Sequence, residues 1–378
     1  MLKCLDNYYT SFTDFGTMFD YHKLQNENSR WERTEIKNLR VAPLDKTSSL
    51  YGDLSLFAPG ISEDAVNDTA DNLGLAIKLD HYYPLRDTAF KSLADRAKIS
   101  GSALPKLKKS DLANVLNSCL GLHNASALLL IRDEKVAATH SGDEKDYSVL
   151  EINKLLESIS DKLNERFPEH VFNSGYTDHS LTSASWSLPK QRDELLDTYV
   201  KVLNSQGKSS MAAKIMPGIR FCTSDTGMAS AKTAALLLGL TYPIHIGGIL
   251  AVEHRGQSKP EDFAKNLDMM FTQFGNAIAM LEKLNTIYLS YPVNAMTAIC
   301  KKLSMPKKAA LEAIAMFEGS LGSTAVTAHD VFIAMQEIIF ILRIEGTPEG
   351  KLLVTEENLA RALTLNWNDY DYAKAVSY

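Results

Sequence analysis

The sequence predicts an α+β protein, with a mixed α/β body that contains β-hairpins and a mostly helical C-terminal region. Short apolar runs separated by turn residues occupy 125–140 and 171–188, which is typical of hairpins. From residue 259 onwards, apolar residues recur at helical spacing between prolines and glycines. The 378 residues are 45% hydrophobic and 23% charged, a composition that supports a large buried core.

Three segments follow from this pattern. Residues 1–56 are polar and aromatic with weak periodicity, and we expect an N-terminal arm that packs on the body or on a neighbouring subunit. Residues 57–257 form the mixed body, and residues 258–378 form the helical region. Within the body, Ser62 and Ser110 are the candidate N-caps of two helices, because each precedes an acidic residue and an apolar periodic stretch.

The overall charge and the cysteines exclude some classes of function. The net charge of −6 excludes a uniformly basic coat, although a local basic patch can still bind nucleic acid. The four cysteines are far apart in sequence, so we expect neither a disulfide framework nor a zinc site. The first residues lack the pattern of a secretory signal, and the apolar stretches are too short to span a bilayer. We therefore expect a cytosolic protein without a membrane partner.

A basic segment is the first candidate for a binding site. Seven cations lie between residues 86 and 109 against two carboxylates, and two tyrosines directly precede them. Lysine and arginine can neutralise phosphates, and tyrosine can stack on bases. A solvated helix face followed by a basic loop explains the same pattern, so both interpretations stay open. The candidate nucleic-acid-binding residues are Tyr82, Tyr83, Arg86, Lys91, Arg96, Lys98, Lys106, Lys108 and Lys109.

A strand followed by a small-residue turn at 218–232 is the second candidate. Its Ser and Asp side chains can hydrogen-bond to nearby backbone, and Gly227 allows a positive φ. The spacing matches neither the P-loop nor the dinucleotide-binding fingerprint, so the segment contains no nucleotide motif. A tight turn between packed elements is the alternative to a functional role. The polar candidate site consists of Ser224, Asp225, His254 and Arg255.

Several short motifs carry a resemblance to a known family. The stretch Tyr-Pro-Leu-Arg-Asp-Thr-Ala-Phe-Lys-Ser-Leu-Ala-Asp-Arg-Ala-Lys-Ile at 83–99, followed by Leu-Ala-Asn-Val-Leu-Asn at 112–117, resembles a family of phage- and plasmid-encoded proteins of unknown function. The likeness covers 57–257 and departs at 246–249, where Ile-Gly-Gly-Ile replaces the Cys-x-Asn-Gly of the family. Two further blocks are similar to the family, at 146–150 and 218–231.

The resemblance implies an origin in a mobile element, a location in the host cytoplasm, and a link to DNA maintenance or host takeover. It implies no established activity and no catalytic residues. Together with the basic segment, it leads us to expect a nucleic-acid-associated protein that associates with itself and is not an enzyme. We expect it to contact single- or double-stranded DNA, and we assign it no cofactor and no metal. The alternatives are a structural or assembly component of a phage, and an enzyme that acts on a phosphate-bearing substrate.

Overall fold

The computed structural model describes residues 2–322 and 325–378. Helices make up 46% of the chain and strands 22%, and the strands form several antiparallel sheets. The predicted α+β class and the helical C-terminal region are therefore confirmed. No helix among the described residues has the length and the apolar character needed to cross a membrane.

The elements alternate through the first two-thirds of the chain, and helices dominate the remainder. The strands are β1 (Tyr9–Phe12), β2 (Arg30–Glu35), β3 (Arg40–Pro43), β4 (Leu75–Lys78), β5 (Tyr82–Pro84), β6 (Ser126–Arg132), β7 (Lys135–Ser141), β8 (Val171–Asp178), β9 (Thr182–Ser187), β10 (Met216–Thr223), β11 (Ala231–Leu238), β12 (Ile244–Val252), β13 (Tyr288–Leu289) and β14 (Val326–Thr327). The helices are α1 (Phe15–Glu27), α2 (Glu63–Asp71), α3 (Asp87–Arg96), α4 (Lys109–Leu120), α5 (Ile152–Arg166), α6 (Arg192–Ser205), α7 (Ser209–Lys214), α8 (Pro260–Leu284), α9 (Pro292–Lys302), α10 (Lys307–Ser320), α11 (Ala328–Met335), α12 (Glu337–Ile344) and α13 (Glu349–Ala360).

The largest sheet is antiparallel and has the strand order β1-β8-β9-β10-β11-β12. Two three-stranded sheets have the orders β2-β6-β7 and β3-β4-β5, and β13 pairs with β14. The hairpins predicted at 125–140 and 171–188 are present as β6–β7 and β8–β9. Strand β11 was not predicted, because it is buried along almost its whole length and therefore lacks the alternation of a half-exposed strand.

The first 56 residues do not form a separate arm. Strand β1 pairs with β8 at the edge of the largest sheet, β2 pairs with β6, and β3 pairs with β4. The aromatic residues of this segment pack inside the chain: the ring of Phe15 lies 5.8 Å from that of Trp186, and Tyr9 stacks on Tyr176. This pairing corrects the predicted division at residue 56. It also removes the aromatic arm as an argument for self-association.

Helices cover both faces of the largest sheet. One face packs on α5, α6 and α8 through Trp186, Phe221 and Leu237. On the other side, Arg220 of β10 and Lys232 of β11 form ion pairs with Glu356 and Glu357 of α13. The largest hydrophobic core joins β11 and β12 to helices on both sides of residue 257. The predicted boundary at 257/258 thus marks a change of secondary structure within one continuous core.

Helix α3 lies along the free edge of β7 in the smaller part of the molecule. The hydroxyl of Thr88 donates to the carbonyl of Ala137 at 2.8 Å, and the amide of Thr139 donates to the hydroxyl of Ser92 at 3.0 Å. Two side chains one helical turn apart thereby satisfy backbone groups at the strand edge. This contact fixes α3, which carries part of the basic segment, beside the end of β7.

The two predicted helix caps have different outcomes. Ser62 is the N-cap of α2 and accepts a hydrogen bond from the amide of Ala65, as predicted. Ser110 is not a cap, because α4 already begins at Lys109 and Ser110 lies within its first turn. The cap position of α4 is held by Lys108, whose side chain makes no capping hydrogen bond.

Candidate functional site

The basic segment separates into buried and surface residues. Arg86 is only 1% exposed, and its Nη1 donates to the carboxylate of Asp6 and to the carbonyl of Leu5, each at 3.2 Å. Tyr83 is also buried, and its hydroxyl accepts a hydrogen bond of 2.7 Å from Arg30. Neither residue presents its polar group to a ligand. The prediction that Arg86 and Tyr83 contact nucleic acid is therefore corrected.

The other six cations of the segment lie at the surface. They occupy α3, the connection 97–108 and the first turn of α4. No carboxylate among the described residues lies within ion-pair distance of any of them. Four are exposed and two are half-buried: Lys91, Lys98, Lys106 and Lys108 are the exposed ones, and Arg96 and Lys109 the half-buried ones. Tyr82 is half-buried, and its ring packs 6.3 Å from that of Phe57.

A polar cavity of about 210 Å³ lies between α3, the end of β7 and the turn that follows β10. It brings together two parts of the chain that the sequence separates by about 130 residues, namely the basic segment and the turn within 218–232. We call it the polar cavity. Its principal lining residues are Lys91, Ser92, Asp95, Arg96, Thr139, His140, Ser141, Asp146, Tyr147, Thr226 and Gly227.

The turn after β10 is held by its own side chains. The hydroxyl of Ser224 interacts with that of Thr226 at 3.0 Å and accepts from the amide of Met228 at 3.2 Å. Gly227 has a φ of +79°, as its predicted role requires. A Cβ on Gly227 would lie 3.1 Å from Cε1 of His140, so this position also allows the turn to approach the end of β7 closely.

Asp225 connects this turn to the β6–β7 hairpin. Its buried carboxylate pairs with Arg132 at 2.5 Å, and its carbonyl accepts hydrogen bonds from Nε2 of His140 and from the hydroxyl of Tyr147, each at 2.9 Å. Burial alone would raise the pKa of Asp225, but the charge of Arg132 and its hydrogen bond outweigh that effect and lower it. Asp225 is therefore an ionised anchor, with its hydrogen bonds already committed.

A stack of rings forms one side of the polar cavity. The imidazole of His140 lies on the ring of Tyr147 with centroids 3.6 Å apart, and Tyr147 in turn stacks on His254 at 5.7 Å. Burial lowers the pKa of His140 to about 4, so its ring is neutral at pH 7. Because Nε2 donates to the carbonyl of Asp225, Nε2 carries the proton and Nδ1 is an acceptor.

The polar candidate site is only partly assembled. Ser224, Asp225 and His254 are buried in the same region, whereas Arg255 is exposed. Within the described part of the chain, Ser224 and His254 make no hydrogen bond to each other, and Nε2 of His254 faces the hydroxyl of Thr223 at 3.5 Å. This arrangement does not provide a nucleophile beside a base. Across residues 2–322 and 325–378, no group of three or more His, Cys, Asp or Glu side chains could hold a metal ion.

Sequence reasoning missed Arg132, Thr139, His140 and Tyr147. The only local signal was the position of His140 at the end of an apolar strand, where functional residues are common. The other three acquire their roles from a turn about 80 residues further along the chain. No spacing rule connects segments so far apart.

Comparisons with protein-family models, with curated proteins and with solved structures give no match for this chain. The resemblance to phage- and plasmid-encoded proteins therefore stays a prediction from short motifs.

Proposed function

We propose that this protein binds nucleic acid through phosphate contacts of the basic segment and does not catalyse a reaction on it. The observation that carries the proposal is the set of six surface cations without a carboxylate partner among the described residues. Release of counterions from neutralised phosphates makes such a surface bind nucleic acid strongly at low salt. The resemblance to mobile-element proteins supports the same proposal, together with action in the host cytoplasm.

The contrast with buried cations supports this interpretation. Arg86, Lys135 and Arg220 are all buried, and each has a carboxylate within ion-pair distance. Buried charges require such partners because desolvation is costly. The cations of the basic segment need no partner for folding, and they are therefore available to an external anion.

Catalysis on a phosphate-bearing substrate has less support. It would require Ser224 to act as a nucleophile, but its hydroxyl interacts within its own turn and its pair with His254 is absent from the described residues. The carboxylate of Asp225 is paired with Arg132. These groups stabilise a turn, and we do not assign them a reaction.

Charge reversal tests the proposal. Binding of fluorescent single- and double-stranded DNA would be measured over a series of salt concentrations for the native protein and for a variant with Lys98→Glu, Lys106→Glu and Lys108→Glu. We expect the slope of log K against log salt to fall in magnitude by roughly two to three, because three phosphate contacts are lost.

The matched control reverses three exposed lysines elsewhere in the chain, Lys283, Lys351 and Lys374. This control changes the net charge by the same amount and should retain most of the affinity. The proposal fails if the native protein does not bind DNA at low salt, or if the two triple variants lose equal affinity.

A further inference from the structure

Three hydrogen-bonding groups in the polar cavity have no partner among the described residues. Thr139 is completely buried, and its Oγ1 makes no hydrogen bond. The Nε of Arg96 is likewise buried without an acceptor. Nδ1 of His140, a residue that is 6% exposed, receives no hydrogen bond and lies 3.6 Å from the point where a Cβ on Gly227 would stand. Buried polar groups are nearly always paired, so three in one small cavity indicate a polar ligand.

The chemistry of these groups restricts that ligand. The Nε–H of Arg96 is a donor only, Nδ1 of His140 is an acceptor only, and the hydroxyl of Thr139 can do both. A complementary ligand must therefore present donors and acceptors side by side. A fully ionised phosphate offers acceptors alone and would leave Nδ1 of His140 without a partner. The hydrogen-bonding edge of a nucleobase offers both.

The charges of the polar cavity favour the same conclusion. Lys91 and Arg96 contribute two positive charges, and Asp95 and Asp146 contribute two negative charges. These four charges cancel, so the cavity does not favour an anion over a neutral polar molecule. The exposed lysines at 98–108 differ in this respect, since no carboxylate in the described ranges pairs with them.

The size of the polar cavity limits the ligand to about one ring. Its volume of about 210 Å³ is below the roughly 300–1,000 Å³ of pockets for drug-sized molecules. It equals the volume of about seven water molecules at roughly 30 Å³ each. A single heterocyclic base fits this limit, whereas a whole nucleotide exceeds it.

We infer that the polar cavity receives one unpaired nucleobase of a bound nucleic acid, whose hydrogen-bonding edge contacts Arg96, Thr139 and His140. The inference rests on the proposed function, because the neighbouring lysines would hold the phosphates. It predicts a preference for single strands, since the base must leave its stack to enter the cavity.

The experiment compares two single-stranded probes of equal length. One is a fluorescent DNA oligonucleotide with all four bases, and the other has the same backbone with abasic sites throughout. Native protein should bind the base-bearing probe about tenfold more tightly or more, the equivalent of one or two hydrogen bonds. The salt dependence should be similar for both probes because it reports the phosphate contacts.

Two variants locate the effect. Thr139→Val has nearly the same shape and removes the unpartnered hydroxyl, so it should leave stability unchanged or slightly raised while the preference for bases falls several-fold. Arg96→Lys keeps the charge and removes the Nε donor, and it should act in the same direction. The matched control is Thr233→Val, because Thr233 is also buried with an unpartnered hydroxyl but lies outside the polar cavity.

The outcomes separate the inference from the proposed function. Equal, salt-dependent binding of both probes would overturn the base site and leave phosphate binding intact. A preference that survives in both variants would also overturn it. If neither probe binds, free nucleosides followed by a change in the NMR signals of the imidazoles decide the matter. Nucleoside binding that Thr139→Val weakens would support a base site without the proposed function, and its absence would overturn both.

Discussion

At the scale of single residues, Gly227 shows how far sequence reasoning reaches. The turn residues around it predict a positive φ, and the structure has a φ of +79°. The second constraint, close approach to the imidazole of His140, comes from a strand about 85 residues earlier and has no local signal. Arg86 shows the opposite case, because its pattern matches that of its surface neighbours while Asp6, 80 residues earlier, holds it inside.

Replacing Gly227 with alanine should destabilise the protein for two reasons. The left-handed backbone costs roughly 1–2 kcal/mol for a residue with a Cβ. The new methyl group would also press on the ring of His140 at 3.1 Å. The control is Gly346→Ala, because Gly346 has a φ of +74° and open space where its Cβ would stand. Denaturant unfolding should show the larger loss for Gly227→Ala; equal losses would contradict the contact with His140.

At the scale of elements, local patterns predict hairpins and helices well because turn residues, prolines and caps act over a few positions. They fail where pairing is remote. The first 56 residues contain three strands whose partners lie 35 to 170 residues away, and no periodicity within the segment shows those partners. The basic segment was predicted as a charged stretch, but its division into buried and surface residues depends on packing against the N-terminus.

A buried ionic network attaches the N-terminal segment to the rest of the molecule. Asp6 accepts from Arg86 at 3.2 Å and from the fully buried Lys135 at 3.0 Å, and Asp68 also pairs with Lys135. Removing the charge of Asp6 leaves Arg86 buried without a carboxylate. Loss of one partner from a buried pair typically costs about 3–5 kcal/mol.

Asp6→Asn should therefore lower the free energy of unfolding by several kcal/mol, measured by denaturant titration. The control is Asp71→Asn, which removes the partner of Lys46 in an ion pair where both side chains are more than half exposed. Exposed pairs contribute about 0–1 kcal/mol, so this variant should remain close to the native protein. A similar effect of both substitutions would show that the network does not hold the N-terminal segment.

At the scale of the whole molecule, one continuous core joins the body to the C-terminal helices, and many histidines are buried within the fold. Burial lowers the pKa of His140 to about 4, and it lowers that of the other four to about 3. The other four are His22, His179, His245 and His329. The fold therefore depends on neutral imidazoles, which composition alone does not reveal.

Stability should fall as the pH is lowered from about 6.5 towards 4. In this range the unfolded chain binds protons on histidines whose ordinary pKa is 6.5, while the folded chain keeps them neutral. Each such histidine contributes up to about 1.4 kcal/mol per pH unit. Buried carboxyls with a raised pKa, such as Asp133 and Glu356, act in the opposite direction and reduce the slope.

Denaturant unfolding at pH 7.5, 6.0 and 5.0 measures this slope directly. His245→Gln should reduce it, because His245 is buried and the substitution removes a titrating ring. Stability that stays constant or increases towards pH 5 would contradict neutral buried histidines as a condition of the fold.

The most direct test of the account is the salt dependence of single-stranded DNA binding. We expect tight binding at low salt, a steep fall in affinity as salt increases, and a slope that decreases when Lys98, Lys106 and Lys108 become glutamate. Absence of binding at low salt, or a slope that the three substitutions leave unchanged, would contradict a phosphate-binding role for the basic segment.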